Sequence, residues 1–501
     1  MHGRLVRNAL SMTAADVVAR VASAVFMAVA ARRLGLEGYG LYATALTFLV
    51  FARLASRIGL QGVLVVRDVA QRRERAAEYL ASAAVLSVLT ALVLAPALPW
   101  LGGALGYRPE LIPLLGLAGL ALIGNAVARP AEDVLRAYQA MRGLAAVGIG
   151  VALGTAAIGL LILALSGGLM ALLALQVVAA WVEAGLLVWL VSRQGVRLGV
   201  PPSWGIIRRL VREGMVVFVL ILLDLTATRS DVLLLALLAS PEAVGLYVPG
   251  VRVLEYLTIF KGGALAALFP FLAARFAEAP GSLGRAFGEV RRLFTLYGAG
   301  MAVALAFGAE AILGLVLGPA YVPGAPALRI LAFGMAFDML GGPVAEVLVI
   351  SRRPLLPFVP ALVGLAVVNV GLNLWLIPRH GAVGSAVAAL ATSACSLGVR
   401  AWWARRLFGA DCPGLGQAAW RPALAALAAA GAFAGLRPLG FWLSAPLAGA
   451  VYIGLLVALR AIRPADVRLA RMLLRREPAA EPAGTAPDGR DPDERHGLRS
   501  T

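Results

Sequence analysis

Long apolar runs alternate with short polar segments along the chain as far as about residue 460. A helix needs about 20 mostly apolar residues to cross a bilayer, and fourteen runs approach or exceed that length. The thirteenth run is short and contains Arg421 and Pro422, so it is the weakest of the fourteen. The pattern predicts an all-α polytopic membrane protein with about 14 transmembrane helices, at residues 9–31, 40–62, 79–100, 111–133, 144–165, 168–191, 213–237, 245–270, 293–317, 326–350, 357–377, 382–403, 420–436 and 441–460.

The composition agrees with this pattern. Hydrophobic residues make up 60% of the chain and charged residues only 14%, with a mean hydropathy of +0.85. Soluble domains contain about 25% charged residues, so the bilayer is the natural solvent for this chain. The net charge is +18, but the arginines are scattered between the apolar runs rather than gathered in one stripe. This distribution argues against a nucleic-acid partner.

The basic residues collect in alternate connections between the apolar runs. Five arginines fall within residues 193–212, whereas the connections at 166–168 and 238–244 contain none. Because cytoplasmic loops carry an excess of Lys and Arg, this bias predicts that both termini lie in the cytoplasm. The pair Arg32 and Arg33 is a local exception to the rule.

One short motif occurs twice, 205 positions apart, at Gly35–Tyr42 and Ser240–Tyr247. Each copy follows the first apolar run of a set of six, so the match predicts two six-helix lobes in a parallel pseudo-repeat, although chance similarity stays open. The glycines are expected to permit turns and the tyrosines to lie at the membrane–water interface. The predicted units are 1–203 (first lobe), 204–408 (second lobe), 409–462 (two additional helices) and 463–501 (a cytoplasmic tail, basic and then disordered).

Several segments together resemble one known family. These are Ala31–Tyr42, residues 54–62, residues 67–70 and, in the second half, residues 229–236 leading into residues 244–247. They are similar to bacterial polysaccharide-export flippases, the Wzx-type O-antigen and capsule translocases, which share a superfamily with lipid II flippases and multidrug extruders.

The resemblance implies a fold, a cargo and a location. It implies two lobes around a central cavity, two extra helices in some members, and a bacterial plasma (inner) membrane location. The implied cargo is a polyprenyl-pyrophosphate-linked oligosaccharide for surface polysaccharide. The implied partners are this cargo, membrane lipids, and a polysaccharide polymerase with its chain-length regulator.

Ionisable residues inside apolar runs are costly, and they mark functional sites by default. In the first lobe, Asp16 and Arg20 are spaced i, i+4, and so are Arg53 and Arg57. Arginine grips phosphate oxygens bidentately, so the three arginines are predicted to bind the cargo pyrophosphate. The alternative is structural: Asp16 and Arg20 form a packed bridge, and Arg57 snorkels to the inner surface.

The second lobe contains a comparable set. Arg252 and Lys261 are predicted to bind the cargo phosphate from this side, and Arg252 can pair with Glu255 at i, i+3. Asp224 and Glu255, together with Asp16 in the first lobe, are candidate ion-coupling carboxylates. Further intramembrane candidates, for which the sequence gives no choice of role, are Glu183, Glu310, Arg329, Asp338 and Glu346.

No cofactor or metal site is expected. Cys395 and Cys412 lack CxxC spacing and the three histidines are isolated. The single lysine, Lys261, lies between Phe260 and Gly262, so the chain has no phosphate-binding P-loop for ATP. We therefore expect an ion gradient, the membrane potential or downstream consumption of cargo to drive transport.

The predicted function is translocation of the lipid-linked oligosaccharide by alternating access, without catalysis. A lipid II-type flippase is an alternative. A multidrug or cation antiporter of the same fold is disfavoured because the inner half of the first lobe is basic. A membrane glycosyltransferase or polymer ligase is the least favoured, since no outer loop is long enough to hold a catalytic cluster.

Overall fold

The computed structural model describes residues 2–57, 62–258, 261, 283–344, 359–409 and 414–462, with side chains described from Val18 onward. These residues form helices and short turns, and the described part contains no β-strand. The α-helices are α1 (His2–Ser56), α2 (Gly62–Gln71), α3 (Ala76–Ala104), α4 (Leu111–Ala137), α5 (Met141–Ala164), α6 (Leu169–Arg193), α7 (Trp204–Leu238), α8 (Pro241–Leu257), α9 (Leu283–Val316), α10 (Ala325–Gly341), α11 (Val359–Phe408), α12 (Leu415–Leu436) and α13 (Phe441–Ala458). The predicted tail, 463–501, lies outside the described residues.

Ten described segments are long and apolar enough to cross a membrane. Two of them, Val18–Ser56 with 39 residues and Val359–Phe408 with 50, are long enough to cross twice, at about 1.5 Å per residue. Helices α7 and α8 are not among these ten segments. Both contain the charged residues that the sequence analysis noted within predicted membrane spans. The prediction of a polytopic all-α membrane protein is confirmed, and α12 and α13 are both among the ten segments.

The two longest helices each consist of two helices joined at a kink. The sequence predicted a connection between the first two runs, and α1 (His2–Ser56) consists of two helices joined across a kink at Gly35, where φ is 69°. Helix α11 bends in the same way at Gly381, where φ is 51°. A positive φ interrupts the helical hydrogen-bond ladder, so one helix ends and the next begins at each of these glycines.

Helix packing follows the order of the chain. Within the first half (residues 1–203), α3 packs on α4, α4 on α6, and α5 on both α1 and α6. Within the second half (residues 204–408), α9 packs on α10, α10 on α11, and α11 on α7. The two halves meet mainly where α1 contacts α7 and α8, and the α12–α13 pair packs on α9. The division into two lobes remains a prediction with which this packing agrees.

Arginine–tryptophan pairs occur near the ends of several helices. Each tryptophan is about half exposed, and each guanidinium carbon lies 4.7–5.4 Å from the ring centroid. Such amphipathic pairs suit the membrane–water interface, where one side of the ring is apolar and the other is wet. They mark the level of the lipid headgroups at Trp189–Arg193, Trp375–Arg379, Trp402–Arg406 and Trp420–Arg421.

Candidate functional site

The two copies of the repeated motif pack directly against each other. A Cβ atom on Gly40 would lie 1.8 Å from the carbonyl oxygen of Pro241, and one on Gly245 would lie 2.2 Å from that of Leu36. Gly40 and Gly245 occupy equivalent positions of the two copies, and so do Leu36 and Pro241. The contact is therefore reciprocal, as two related segments facing each other across a two-fold axis would make it. We call these four residues the motif interface.

Two tyrosines add a second reciprocal contact between the halves. Tyr107 lies four residues before the start of α4, and its hydroxyl donates to the Leu233 carbonyl of α7 at 3.1 Å. Tyr321 lies four residues before the start of α10, and its hydroxyl donates to the Ala31 carbonyl of α1 at 2.8 Å. Each half thus reaches onto the first long helix of the other, at the same end of the molecule as the motif interface.

The prediction that the motif tyrosines anchor the membrane–water interface is wrong. Tyr42 and Tyr247 are 1% and 0% exposed. The Gln176 amide donates to the Tyr42 hydroxyl at 3.2 Å, and the Tyr247 hydroxyl donates to the carboxylate of Asp231. Because the two motif copies are packed together, their tyrosines point into the protein and need polar partners there.

Arg32, one of the two arginines that depart from the distribution of basic residues between the connections, has a structural role. Arg32 donates from its Nε to the carbonyl oxygen of Val316 at 2.9 Å, and its guanidinium also reaches the Leu315 carbonyl. These carbonyls belong to the last turn of α9, where a cation is favourable for the helix dipole. Arg32 therefore joins the first half to the C-terminus of α9.

A cavity of about 840 Å³ lies within the second half. Helices α7, α8, α10 and α11 provide its walls, together with Lys261. Apolar side chains such as Leu254 and Leu331 cover much of the wall. The charged residues that line it are Asp224, Arg229, Asp231, Glu255, Lys261, Asp338 and Arg400.

Most of these charges are paired across the cavity wall. Glu255 forms ion pairs with Arg229 and, at 2.7 Å, with Arg252, which lies one contact away from the cavity. Arg400 lies 3.7 Å from the carboxylate of Asp338. Asp224 is exposed to the cavity and forms no direct ion pair with a described residue, but the charges of Arg400 and Lys261 act on its carboxylate. The wall therefore holds two cations that are paired with carboxylates, and one carboxylate, Asp224, that has no direct ion pair among the described residues.

A buried network of neutral polar side chains lies beside the cavity. The Asn373 amide donates to Asn369 Oδ1 at 3.0 Å, and the Ser385 hydroxyl donates to Asn373 Oδ1 at 3.0 Å. Ser230 and Thr392 complete the network through Asn369. Sequence reasoning that searched for charges missed these residues, although two asparagines spaced i, i+4 in an apolar run were a visible signal.

The first half contains a different charge cluster, on α1, α4 and α6. Arg57 pairs with Asp133 at 3.0 Å, and Arg129 pairs with Glu183 at 2.9 Å and with Glu132. Arg53 interacts electrostatically with Arg129 and Glu183, but its Nε is buried without a hydrogen-bond partner in the described part of the chain. This cluster therefore leaves one buried arginine incompletely satisfied.

The structure separates the residues that the sequence proposed as one site. Asp224, Glu255 and Lys261 line the cavity of the second half, and Arg252 contacts it through Glu255. Arg53 and Arg57 belong to the first-half cluster, Arg20 is exposed on α1, and the Asp16 side chain lies outside the described residues. A joint phosphate site of these residues remains a prediction.

Two residues of the cavity wall, Arg400 and Asp338, were assigned to the site only by the structure. Arg400 was not singled out from the sequence, although it interrupts an apolar run, and Asp338 was left without a role. Two of the other open candidates, Glu310 and Arg329, pair with each other at 2.6 Å away from the cavity. Glu346 lies outside the described residues.

A further ionic cluster joins α2 and α3 to the start of α7, at the end of α3 and α7 away from the motif interface. The buried Asp68 carboxylate accepts from Tyr79 at 2.8 Å and from Arg67 at 3.0 Å, and Arg209 lies 3.2 Å away. Burial raises the pKa of Asp68, but the hydrogen bonds from Tyr79 and Arg67 and the charges of the two arginines outweigh it, so the pKa is lowered overall. The cluster ties the two halves together at this end.

These features define a polytopic membrane protein whose helices enclose a charged cavity, and its fold is found in solved transporters. It aligns with the lipid II flippase MurJ in an inward closed conformation at a TM-score of 0.75, with 11% identity, covering 91% of this chain and 99% of MurJ. An inward-facing multidrug resistance MATE family transporter of the MOP superfamily aligns at 0.58, with 15% identity, covering 79% and 95%. A MOP superfamily transporter from Pyrococcus furiosus aligns at 0.56, with 15% identity, covering 81% and 96%.

The family follows from the sequence itself. A family model described as polysaccharide biosynthesis protein matches residues 29–326, more than half of the chain. The chain therefore belongs to this family, and the resemblance drawn from its motifs is confirmed. No curated protein matches the chain in a sequence search.

Proposed function

We propose that this protein is a flippase that moves a polyprenyl-pyrophosphate-linked oligosaccharide from the cytoplasmic to the outer leaflet of the bacterial inner membrane, for surface polysaccharide such as the O-antigen of lipopolysaccharide. Family membership and the transporter fold support this proposal. The observation that carries it is the cavity of about 840 Å³ with a charged wall inside an apolar helical bundle. Its volume falls within the range of about 300–1,000 Å³ of small-molecule sites.

The charged wall suits a diphosphate head group. Three cations, Arg229, Lys261 and Arg400, line the cavity, and hydrogen bonds from cations to phosphate are among the strongest in proteins. In the absence of cargo, Glu255 and Asp338 balance two of these cations. A diphosphate that enters would replace these carboxylates as their counter-charge, while the polyprenyl tail stays in the lipid.

The first half contributes a second group of cations in this proposal. Arg53 is partly buried and has a buried, unsatisfied Nε, and such an arrangement is costly unless a ligand uses it. Arg20 and Arg57 would meet the same phosphate when the halves rearrange, with Arg252 and Lys261 on the other side. Arg57 would then have to exchange its contact with Asp133 for the cargo.

Alternating access would use the contact between the halves. The motif interface and the two tyrosine bonds close one end of the structure, which the predicted orientation assigns to the outside. Release of cargo requires that these contacts separate. Because the contact is reciprocal, the halves can part there as rigid bodies.

Asp224 is the favoured ion-coupling residue. Its carboxylate forms no direct ion pair among the described residues, although the charges of Arg400 and Lys261 act on it, whereas Glu255 pairs with two arginines. A carboxylate free to bind H⁺ or Na⁺ in one state can couple the ion gradient to transport. In proteoliposomes, Asp224→Asn should abolish the response of flipping to an imposed ion gradient while slow passive exchange persists. Unchanged stimulation by either ion would remove this assignment.

A lipid II flippase is the second candidate, and the match to MurJ favours it. A multidrug antiporter is less favoured, because an organic cation would meet Arg229, Lys261 and Arg400 in the cavity. We assign no catalytic role to the chain. A polymerase and a chain-length regulator would act on the cargo after its release.

The cargo can be decided by a reconstituted flipping assay. Purified protein in proteoliposomes would receive fluorescent polyprenyl-pyrophosphate oligosaccharide, lipid II or a cationic dye, and an impermeant quencher would report the outer leaflet. We expect fastest flipping of the polyprenyl-linked oligosaccharide, with Lys261→Gln reducing it and the matched surface variant Arg406→Gln leaving it unchanged. Preferred movement of lipid II or of the dye would replace the proposed cargo.

A further inference from the structure

A second, smaller cavity lies between α9, α12 and the residues that follow α13. Its volume is about 170 Å³, and Glu289, Arg292, Gln417 and Arg421 provide its polar lining. It shares no lining residue with the large cavity of the second half. The proposed cargo path therefore does not account for it.

Two guanidinium groups meet at this cavity. Arg292 donates from Nε to Glu289 at 3.0 Å and from NH1 to the Ala461 carbonyl at 2.5 Å. Arg421 donates from NH1 to the Arg460 carbonyl at 3.3 Å. Both arginines thus cap the end of α13, which accounts for part of their hydrogen-bonding capacity.

Arg421 retains donors that this cap does not use. Its Nε is buried and has no hydrogen-bond partner, and no carboxylate among the described residues pairs with it. A buried donor on a charged group costs free energy unless an acceptor is present. The cavity beside it has room for such an acceptor, and an anion would satisfy the charge as well as the donor.

The location of the cavity identifies the anion. Arg421 lies over the ring of Trp420, 5.1 Å from its centroid, and Trp420 is 50% exposed on the outside of the bundle. Arg421 is six residues from the start of α12, about 9 Å along the helix, which places it near the headgroup level of a bilayer. Basic pockets between helices at this level bind the head groups of anionic lipids.

We infer that this cavity binds the phosphodiester of an anionic glycerophospholipid. The phosphate accepts from Arg421 and Arg292, the glycerol lies against Gln417, and the acyl chains run along the lipid-facing side of α12. Because the cavity joins α9 to α12 and to the end of α13, the lipid also holds the two additional helices against the second half.

The experiment measures lipid retention by the full-length protein. The protein is reconstituted in nanodiscs of phosphatidylcholine with a minor fraction of phosphatidylglycerol, then delipidated by detergent and analysed by mass spectrometry for bound lipid. The wild type should retain phosphatidylglycerol selectively. Arg421→Gln should weaken its affinity about tenfold, as expected for the loss of one charge-assisted hydrogen bond, and Arg421→Lys should weaken it less.

Arg406→Gln is the matched control, because Arg406 lies over Trp402 in the same way but lines neither cavity. It should retain phosphatidylglycerol like the wild type. Equal losses in the Arg421 and Arg406 variants would overturn the inference. Displacement of the lipid by soluble glycerol phosphate would also overturn it, because the site would then recognise free phosphate rather than a lipid. If Arg421→Gln fails to fold, Arg421→Lys and the competition experiment still decide.

Discussion

The two halves of the molecule use intramembrane charge differently. In the first half, Arg57 and Arg129 are held by acidic partners on neighbouring helices, which braces the bundle. In the second half, charges of both signs line a cavity of about 840 Å³. The halves share a motif and a reciprocal contact, yet all the residues that line this cavity belong to the second half. In the proposal made above, similar architecture therefore serves two roles, bracing in one half and binding in the other.

This difference refines the hypothesis drawn from the sequence. The arginines of the first half were predicted to clamp the cargo phosphate together with Arg252 and Lys261. The structure assigns a structural partner to Arg57 and leaves Arg53 the strongest first-half candidate, because its Nε is unsatisfied. The variants below test whether bracing and binding are separate properties of the two halves.

The largest effect is expected for Arg129→Ala. This change removes the described partner of Glu183 and one of the two partners of Glu132, which keeps only the more exposed Arg136. Breaking a buried pair typically costs about 3–5 kcal/mol, and since Arg129 is 30% exposed we expect about 2–4 kcal/mol here. The measurement is thermal unfolding in detergent. As a control, Arg136→Ala removes a more exposed partner of Glu132 and should cost less than about 1 kcal/mol. Equal losses would show that the cluster does not brace the bundle.

The second prediction compares equivalent positions of the two halves. Gly40→Ala and Gly245→Ala each place a methyl group against a backbone carbonyl of the opposite motif copy. Overpacking of this kind costs about 1–3 kcal/mol, and it should drive the halves apart at the motif interface. Accessibility of a cysteine introduced at Tyr321 to an impermeant reagent should rise in both variants by similar amounts.

Gly148→Ala on α5 is the control for this pair, since a Cβ there meets no atom within 4 Å. If the accessibility of the cysteine at position 321 rose in only one of the variants Gly40→Ala and Gly245→Ala, this would contradict the reciprocal role of the motif.

The third prediction concerns binding in the second half. Arg400→Gln removes a cavity cation that lies 3.7 Å from Asp338. Because this pair is loose, the effect on unfolding should be small, whereas cargo affinity should fall about tenfold, equivalent to about 1.4 kcal/mol. Flipping rates measured over a range of cargo concentrations separate affinity from turnover. A loss of stability with unchanged cargo affinity would assign Arg400 to bracing instead.

The smallest effect is expected at the ionic cluster of α2, α3 and α7. The pKa of Asp68 is lowered in the folded protein, so the charged carboxylate stabilises the fold above its ordinary pKa near 3.8, and this contribution disappears as the pH falls through the folded value. We expect about 1 kcal/mol at neutral pH, because Arg67 and Arg209 are largely exposed. Asp68→Asn should lower the unfolding temperature at neutral pH. It should also remove the part of the loss of stability at acid pH that comes from protonation of Asp68. An identical pH profile in the variant and the wild type would contradict the assignment.

Much of the fold could be predicted from the sequence because hydrophobic run length is dictated by the bilayer. The short run that carries Arg421 is a helix, as predicted, and residues 35–42 do join two membrane-crossing segments. That the break falls at Gly35 could not be predicted, because the motif contains other glycines as well. The burial of Tyr42 and Tyr247 depends on contacts between distant segments, which no local pattern specifies.

The lining of the second-half cavity was predicted only in part, because the sequence shows which residues are ionisable but not how the helices pack. Ionisable residues in apolar runs are visible in the sequence, so Asp224, Glu255 and Lys261 were found. Which of them share a cavity depends on helix packing, and Arg400 joins them from a helix more than a hundred residues away. The neutral network around Asn369 was missed because amide side chains are less conspicuous than charges.

The most direct test of the account is to map where the cargo head group binds. A photoactivatable analogue of the polyprenyl-pyrophosphate oligosaccharide, with the reactive group next to the diphosphate, would be cross-linked to the reconstituted protein and the labelled peptides identified. We predict labelling on α7, α8, α10 and α11 around Lys261 and Arg400, reduced by unlabelled cargo. Labelling confined to α1, α4 and α6, with none in the second half, would contradict the account.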